Sequence, residues 1–202
     1  VNPTASGTIT VNANSTIALT SAAGTDAQTL CVSTPLTAIK YTVGGGATNA
    51  SITAGSLPAG VTGTFTAGVF TISGTPTAAG SFSYTVTTTG PCVNASLSGT
   101  ITVQANSTIT LSSGAGTNNQ IKCINTALTN ITYTIGGCGT GASITAGALP
   151  AGVTGNFAAG VFTISGTPTV PGAFSYTITT TGSCVNPTAS GTITVNANST
   201  IA

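Results

Sequence analysis

Five cysteines are the residues of this 202-residue chain best equipped for covalent chemistry, and four of them are evenly placed. Cys31 and Cys123 are 92 residues apart, as are Cys92 and Cys184, so Cys31 and Cys92 are spaced by 61 residues, as are Cys123 and Cys184. Cys138 has no such counterpart, because Gly46 stands 92 residues before it. Thiols in regular pairs point to disulfides, and disulfides to an oxidising compartment.

Little else in the chain can do chemistry. Asp26, Lys40 and Lys122 are the only charged side chains, and His, Glu, Arg, Met and Trp are missing altogether. General acid–base catalysis needs a group that titrates near the working pH, and paired-carboxylate hydrolysis needs two carboxylates. Neither set exists, and Ser or Thr hydroxyls without a neighbouring base are weak nucleophiles. No catalytic residue is assigned, and the chain is expected not to be an enzyme. Calcium takes six to eight oxygen ligands, usually with several carboxylates. Asp26 is alone and is replaced by Asn118 one period later, so no metal site and no cofactor are expected. A net charge of +1 provides no basic surface for a phosphate backbone, which sets nucleic acid aside as a partner.

The spacing of 92 belongs to the whole chain. "SGTITV" occurs at 6–11, 98–103 and 190–195, "LPAGVTG" at 57–63 and 149–155, and "GVFTISGTPT" at 68–77 and 160–169. The first eighteen residues return unchanged as 185–202. A fixed period of this kind marks a tandem array. The chain reads as a stretch of a longer one: 1–14 as the last strand of a preceding repeat, 15–105 and 106–197 as two full repeats, and 198–202 as the start of the next.

Within each repeat, apolar residues alternate with Thr and Ser. "SFSYTVTTTG" sets Phe82, Tyr84 and Val86 on one face, and "TAIKYTVGG" sets Ile39, Tyr41 and Val43 inward with Lys40 outward. "SGTITV" does the same with Ile9 and Val11, or with Ile101 and Val103. Such alternation is the signature of half-buried strands. Turn chemistry separates them, as in "VGGGATN", "GSLPAG" and "SGTPTAAG", and no window has a helical period. Positive mean hydropathy with almost no charge argues for a folded chain, and no apolar run is long enough for a membrane-spanning helix. The expected fold is all-β: small antiparallel immunoglobulin-like sandwiches in series, joined by the short "NANST" and "QANST" linkers into a rod-like array.

On that fold, the first cysteine of each repeat precedes the "YTV" or "YTI" strand and the second follows the "FSYT" strand. These regions are expected to meet at one end of the sandwich, pairing Cys31 with Cys92 and Cys123 with Cys184. The alternative pairs Cys92 with Cys123 across the repeat boundary. Cys138 is expected to be a free thiol, with a crosslink to a neighbouring chain as the alternative. Asn-x-Ser/Thr matches, as at Asn14 and Asn106, are of the number that so Asn- and Thr-rich a chain produces by chance.

"TIALTSAAGTDAQTLCVSTPLTAIKYTVGGGATNASI", followed by "LPAGVTGTFTAGVFTISGTPTAAGSFSYTVTTTGPC" and "SGTITV", resembles the tandem repeats of very large cell-surface adhesins of Bacteroidota, the SprB-like gliding-motility adhesins. The resemblance runs in register through the whole chain. It implies export by type IX secretion and display as filaments on the outer membrane of a Gram-negative cell. The implied partners are neighbouring repeats, surface polysaccharide or substratum, and gliding or secretion machinery met through other regions, with no membrane insertion of these repeats. Two other classes remain: a structural filament or sheath subunit, and a carbohydrate- or ice-binding module that would need an exposed threonine array or an aromatic platform.

The lack of carboxylates leads to a direct expectation. Adding calcium, or removing it with a chelator, should leave the thermal transition of the chain where it is. A calcium-dependent rise in Tm would overturn the reading of Asp26 and Asn118.

Overall fold

The computed structural model describes residues 2–199, and all regular structure among them is β-strand. Two compact units divide between Val103 and Gln104.

In the first unit the strands are β1 (Ser15–Leu19), β2 (Ala27–Cys31), β3 (Ile39–Gly45), β4 (Asn49–Gly55), β5 (Val61–Thr66), β6 (Val69–Gly74), β7 (Gly80–Thr89) and β8 (Ser96–Gln104). They form two four-stranded sheets, in the orders β1-β3-β6-β5 and β2-β8-β7-β4. The second unit repeats the plan with β9 (Thr108–Leu111), β10 (Asn119–Cys123), β11 (Ile131–Gly136), β12 (Gly139–Gly147), β13 (Val153–Ala158), β14 (Val161–Gly166), β15 (Gly172–Gly182) and β16 (Thr188–Asn196). Its sheets are ordered β9-β11-β14-β13 and β10-β16-β15-β12. Lettered along the chain, each unit has the A-B-E-D and G-F-C sheets of an immunoglobulin sandwich, with an extra strand beside G supplied by the second half of the opening segment.

Alternation in sequence becomes alternation in burial. Along β7, Tyr84, Val86 and Thr88 face inward while Ser83, Thr85 and Thr87 face out. Ile39, Tyr41, Ile72, Val86 and Ile101 are 1% exposed or less, and their counterparts 92 residues on are buried to the same degree or nearly so. Each such aliphatic side chain contributes roughly 1.5–3 kcal/mol on leaving water. The tight hairpin between β5 and β6 turns on Ala67 and Gly68, both at positive φ (48° and 77°), and the one between β13 and β14 repeats it with Ala159 and Gly160. Two left-handed residues in a two-residue loop match the twist of the strands that they join.

The two sheets of each sandwich are tied at their centre by tyrosines. The hydroxyls of Tyr41 on β3 and Tyr84 on β7 lie 3.0 Å apart, and those of Tyr133 on β11 and Tyr176 on β15 lie 3.3 Å apart. Tyr176 also donates to the Asn118 carbonyl at 3.4 Å. Burial raises the pKa of Tyr41, Tyr84 and Tyr176 above the ordinary phenol value, so these hydroxyls stay protonated at neutral pH. Gly99 makes the space: a Cβ there would come within 2.3 Å of the Tyr84 hydroxyl and 2.6 Å of the Asp26 carbonyl, and Gly191 does the same for Tyr176.

The opening segment departs from expectation. Residues 6–11 take no strand pairing, and Ile9 and Val11 are 92% and 89% exposed. The identical stretch at 190–195 lies within β16, where Ile193 and Val195 are 0% and 3% exposed. The reason is pairing: β16 lies between β10 and β15, and residues 6–11 have no such neighbours in their unit. The expected boundary segment 198–202 falls partly outside the described residues.

The tyrosine pair is open to a mutant cycle. Tyr84→Phe should destabilise the first unit by about 1–3 kcal/mol because it strands the buried Tyr41 hydroxyl, while Tyr41→Phe combined with Tyr84→Phe should recover part of that loss. Denaturant midpoints of the single and double variants measure the coupling. Strictly additive losses would show that the two hydroxyls do not act as a pair.

Candidate functional site

The cysteines sit where strands end. Cys31 closes β2 and Cys123 closes β10, while Cys92 and Cys184 lie in the turns after β7 and β15. Each turn is held by a buried threonine. Thr88 donates its hydroxyl to the Ala95 carbonyl at 3.2 Å and accepts the Ala95 N–H at 2.9 Å. Thr180 donates to the Pro187 carbonyl and to Asn186 Oδ1, each at 3.4 Å.

Cys31 and Cys184 are disulfide-bonded, whereas Cys92, Cys123 and Cys138 carry free thiols. The expected Cys31–Cys92 and Cys123–Cys184 bridges are therefore not formed, nor is the alternative between Cys92 and Cys123. Strand polarity is the reason. β10 runs parallel to β16, with Cys123 opposite Asn196, and β15 runs antiparallel to β16, with Gly172 opposite Val195. Cys123 thus sits at the end where β15 begins, and Cys184 lies beyond the end where β15 finishes. The strand between those ends carries Thr188 and Asn196 about 26 Å apart at roughly 3.3 Å per residue. A disulfide needs Cα atoms within about 7 Å. In the first unit β2 likewise neighbours β8, and β7 runs antiparallel to β8.

A residue that the sequence reading passed over holds this arrangement. The Gln28 amide donates to the carbonyls of Thr25 (2.6 Å) and Thr37 (2.7 Å) and accepts the Thr37 N–H at 3.0 Å. Gln120 repeats all three bonds with Thr117 and Thr129. This clamp fixes the crossing by which the chain leaves one sheet after β1 or β9 and joins the other as β2 or β10. A single glutamine 92 residues from another was the available signal, and its role becomes visible only when the strand beside it is placed.

Cys138 occupies the glycine turn between β11 and β12, half-buried, with its sulfur 3.6 Å from the Ser107 hydroxyl. The Ser107 hydrogen bond lowers its pKa below the ordinary thiol value, against desolvation, with help from the backbone at Cys184, Ser183 and Cys138 itself.

The remaining polar feature is a set of hydroxyl pairs on the outer face of the β2-β8-β7-β4 sheet. Thr53 and Thr87 are 2.6 Å apart, Thr85 and Ser98 2.9 Å, and Ser83 and Thr100 3.2 Å. A depression of about 300 Å³ lies among the last two pairs, floored at Gly55 and Gly99. It has no carboxylate or imidazole, and the tyrosine rings that could have made an aromatic platform are in the core. Among the described residues no three His, Cys, Asp or Glu side chains cluster as metal ligands. Among the described residues no helix is long and apolar enough to cross a membrane.

Comparison with known proteins matches the fold and nothing narrower. No family model matches the chain, and no curated protein matches it. Among solved structures, an I-band fragment of titin is similar at a TM-score of 0.59 with 16% identity, over 85% of this chain and 63% of that one. A three-immunoglobulin titin structure carrying Glu-to-Ala changes gives a TM-score of 0.59 with 15% identity, over 92% of this chain and 64% of that one. The chain thus spans less than two thirds of these neighbours and shares their tandem immunoglobulin-like architecture.

The surroundings of Cys138 make it the thiol to test. Replacing Ser107 with alanine should move the alkylation rate profile of Cys138 to higher pH and slow labelling at neutral pH, because the hydroxyl favours the thiolate. Site-resolved alkylation across pH 6–10 checks this, and an unshifted profile would remove Ser107 from the account.

Proposed function

We propose that the chain is a non-enzymatic repeat region, the stalk, of a large secreted bacterial cell-surface adhesin, of the kind that forms gliding-motility filaments. The observation that carries this reading is repetition at every level. The same core, the same inter-sheet tyrosine pair and the same glutamine clamp recur at a spacing of 92 residues in two units of one fold. Selection for a catalytic or ligand site singles out one constellation of side chains, whereas selection for length and mechanical continuity copies a unit whole. Serial immunoglobulin-like domains also make up the titin neighbours, which supports a structural role for the array. The single side-chain carboxylate and the missing imidazole favour a role without chemistry. Extracellular display fits the disulfide-bonded Cys31 and Cys184.

A second reading, a structural filament or sheath subunit, is favoured by one observation: Cys138, the one cysteine outside the repeat pattern, is a free thiol with a lowered pKa that is suited to linking chains. Carbohydrate or ice binding gains less support, because the exposed hydroxyls pair with one another and the tyrosines are buried.

Fluorescent antibody against the two-repeat unit, followed on live source cells, separates the readings. Label that travels along the cell body is expected for a gliding adhesin. Label fixed in place or collected in shed bundles would overturn the gliding role in favour of a static fibre.

A further inference from the structure

We propose that the second unit carries a thiol–disulfide exchange site, in which Cys138 attacks the oxidised sulfur of Cys184 and takes over its bond, leaving a Cys138–Cys184 disulfide inside the unit. The inference rests on the geometry of this unit alone and not on the adhesive role.

Strand pairing sets the two cysteines side by side. β12 and β15 are antiparallel, with Gly139 opposite Gly182. Cys138 immediately precedes the first of these residues and Cys184 follows the second by two, so both lie at the same end of the strand pair. The backbone N–H groups of Ser183 and Cys184 reach the Cys138 sulfur as hydrogen-bond donors. A sulfur that accepts a hydrogen bond from a residue's own N–H lies within about 5 Å of that residue's Cα. That is the neighbourhood in which a disulfide forms, since bridged Cα atoms are within about 7 Å of each other. The Ser107 hydroxyl completes the setting, 3.6 Å from the Cys138 sulfur and donating to Asn186 Oδ1 at 3.1 Å.

The turn that carries Cys138 is rebuilt relative to the first unit. Cys138, Gly139 and Gly141 stand where the first unit has Gly46, Ala47 and Asn49. A Cβ at Gly139 would come within 2.6 Å of Ile135 Cγ2, and one at Gly182 within 2.6 Å of the Cys138 carbonyl. Glycine at both places lets the cysteine turn close onto the turn after β15. The first unit lacks both the thiol and the glycine beside it, so the site belongs to the second unit alone.

The step is redox-neutral. The Cys138 thiolate adds to Cys184 Sγ, the S–S bond that Cys184 already holds breaks, and the sulfur on its far side leaves as a thiolate that takes up the proton Cys138 gave to water. The hydrogen bonds at Cys138 favour the thiolate and so supply the nucleophile. The product encloses β12 to β15, strands from both sheets of the sandwich, in one covalent loop. Exchange therefore turns the bond at Cys184 into an internal staple of the second unit.

The test uses the whole 202-residue chain with its disulfide intact, prepared in acid, where thiols are protonated and exchange is stopped, and then brought to about pH 8 without added thiol. Samples taken over time are returned to acid, digested with pepsin without reduction and read by mass spectrometry. A peptide joining Cys138 to Cys184 is expected to replace the original linkage of Cys184, at a rate independent of chain concentration and with the total of free thiols unchanged. Cys138→Ser should abolish that peptide and leave the original linkage in place. No Cys138–Cys184 peptide in the unaltered chain would overturn the proposal. Covalent dimers joined through Cys138 in its stead would overturn it in favour of a link between chains. None of these outcomes depends on how label behaves on cells.

Discussion

Two phenolic hydroxyls meeting at the centre of each sandwich set the register between its sheets. An immunoglobulin sandwich of the antibody type fastens its B and F strands with a disulfide packed against tryptophan. This chain has no tryptophan and no cysteine on either strand. Its B and F strands instead contribute Tyr41 and Tyr84, or Tyr133 and Tyr176, whose rings fill the core and whose hydroxyls satisfy each other. A hydrogen bond tolerates less misplacement than apolar contact, and a buried phenol without a partner is costly. The pair therefore specifies how the sheets face each other, and Gly99 and Gly191 are the positions whose lack of a side chain lets the hydroxyls reach that depth.

Moving the inter-sheet tie from sulfur to oxygen leaves the cysteines free for other places, and the opening strand determines which. The chain crosses from one sheet to the other between β1 and β2, and the Gln28 amide bridges the crossing. Since the second half runs parallel to the last strand in the matching β10–β16 pair, its terminal cysteine ends up at the pole where the chain leaves the repeat. The turn after the seventh strand lies at the pole where the chain enters. Cysteines that look like a pair in sequence are thus an exit thiol and an entry thiol. In a sandwich, the distance between poles is a strand length, and no side chain spans it.

What was legible in the sequence follows from period and partner. The β-sandwich class, the inward faces of "IKYTV" and "FSYTV" and the outward Lys40 were readable because alternation maps directly onto burial in a paired strand. The duplication was readable because it needs no structure at all. Sequence reading failed where the answer depends on a partner elsewhere. "DAQTLC" carries no alternation strong enough to announce a separate strand, so the sheet crossing is hidden in the letters, and with it the cysteine pairing that strand polarity decides. "SGTITV" at 6–11 shows the same limit in purer form: the letters that make a buried strand at 190–195 make an exposed, unpaired segment where no sheet receives them. The Cys138 site was half legible, as an unmatched thiol, but the Ser107 contact that tunes it joins residues 31 positions apart.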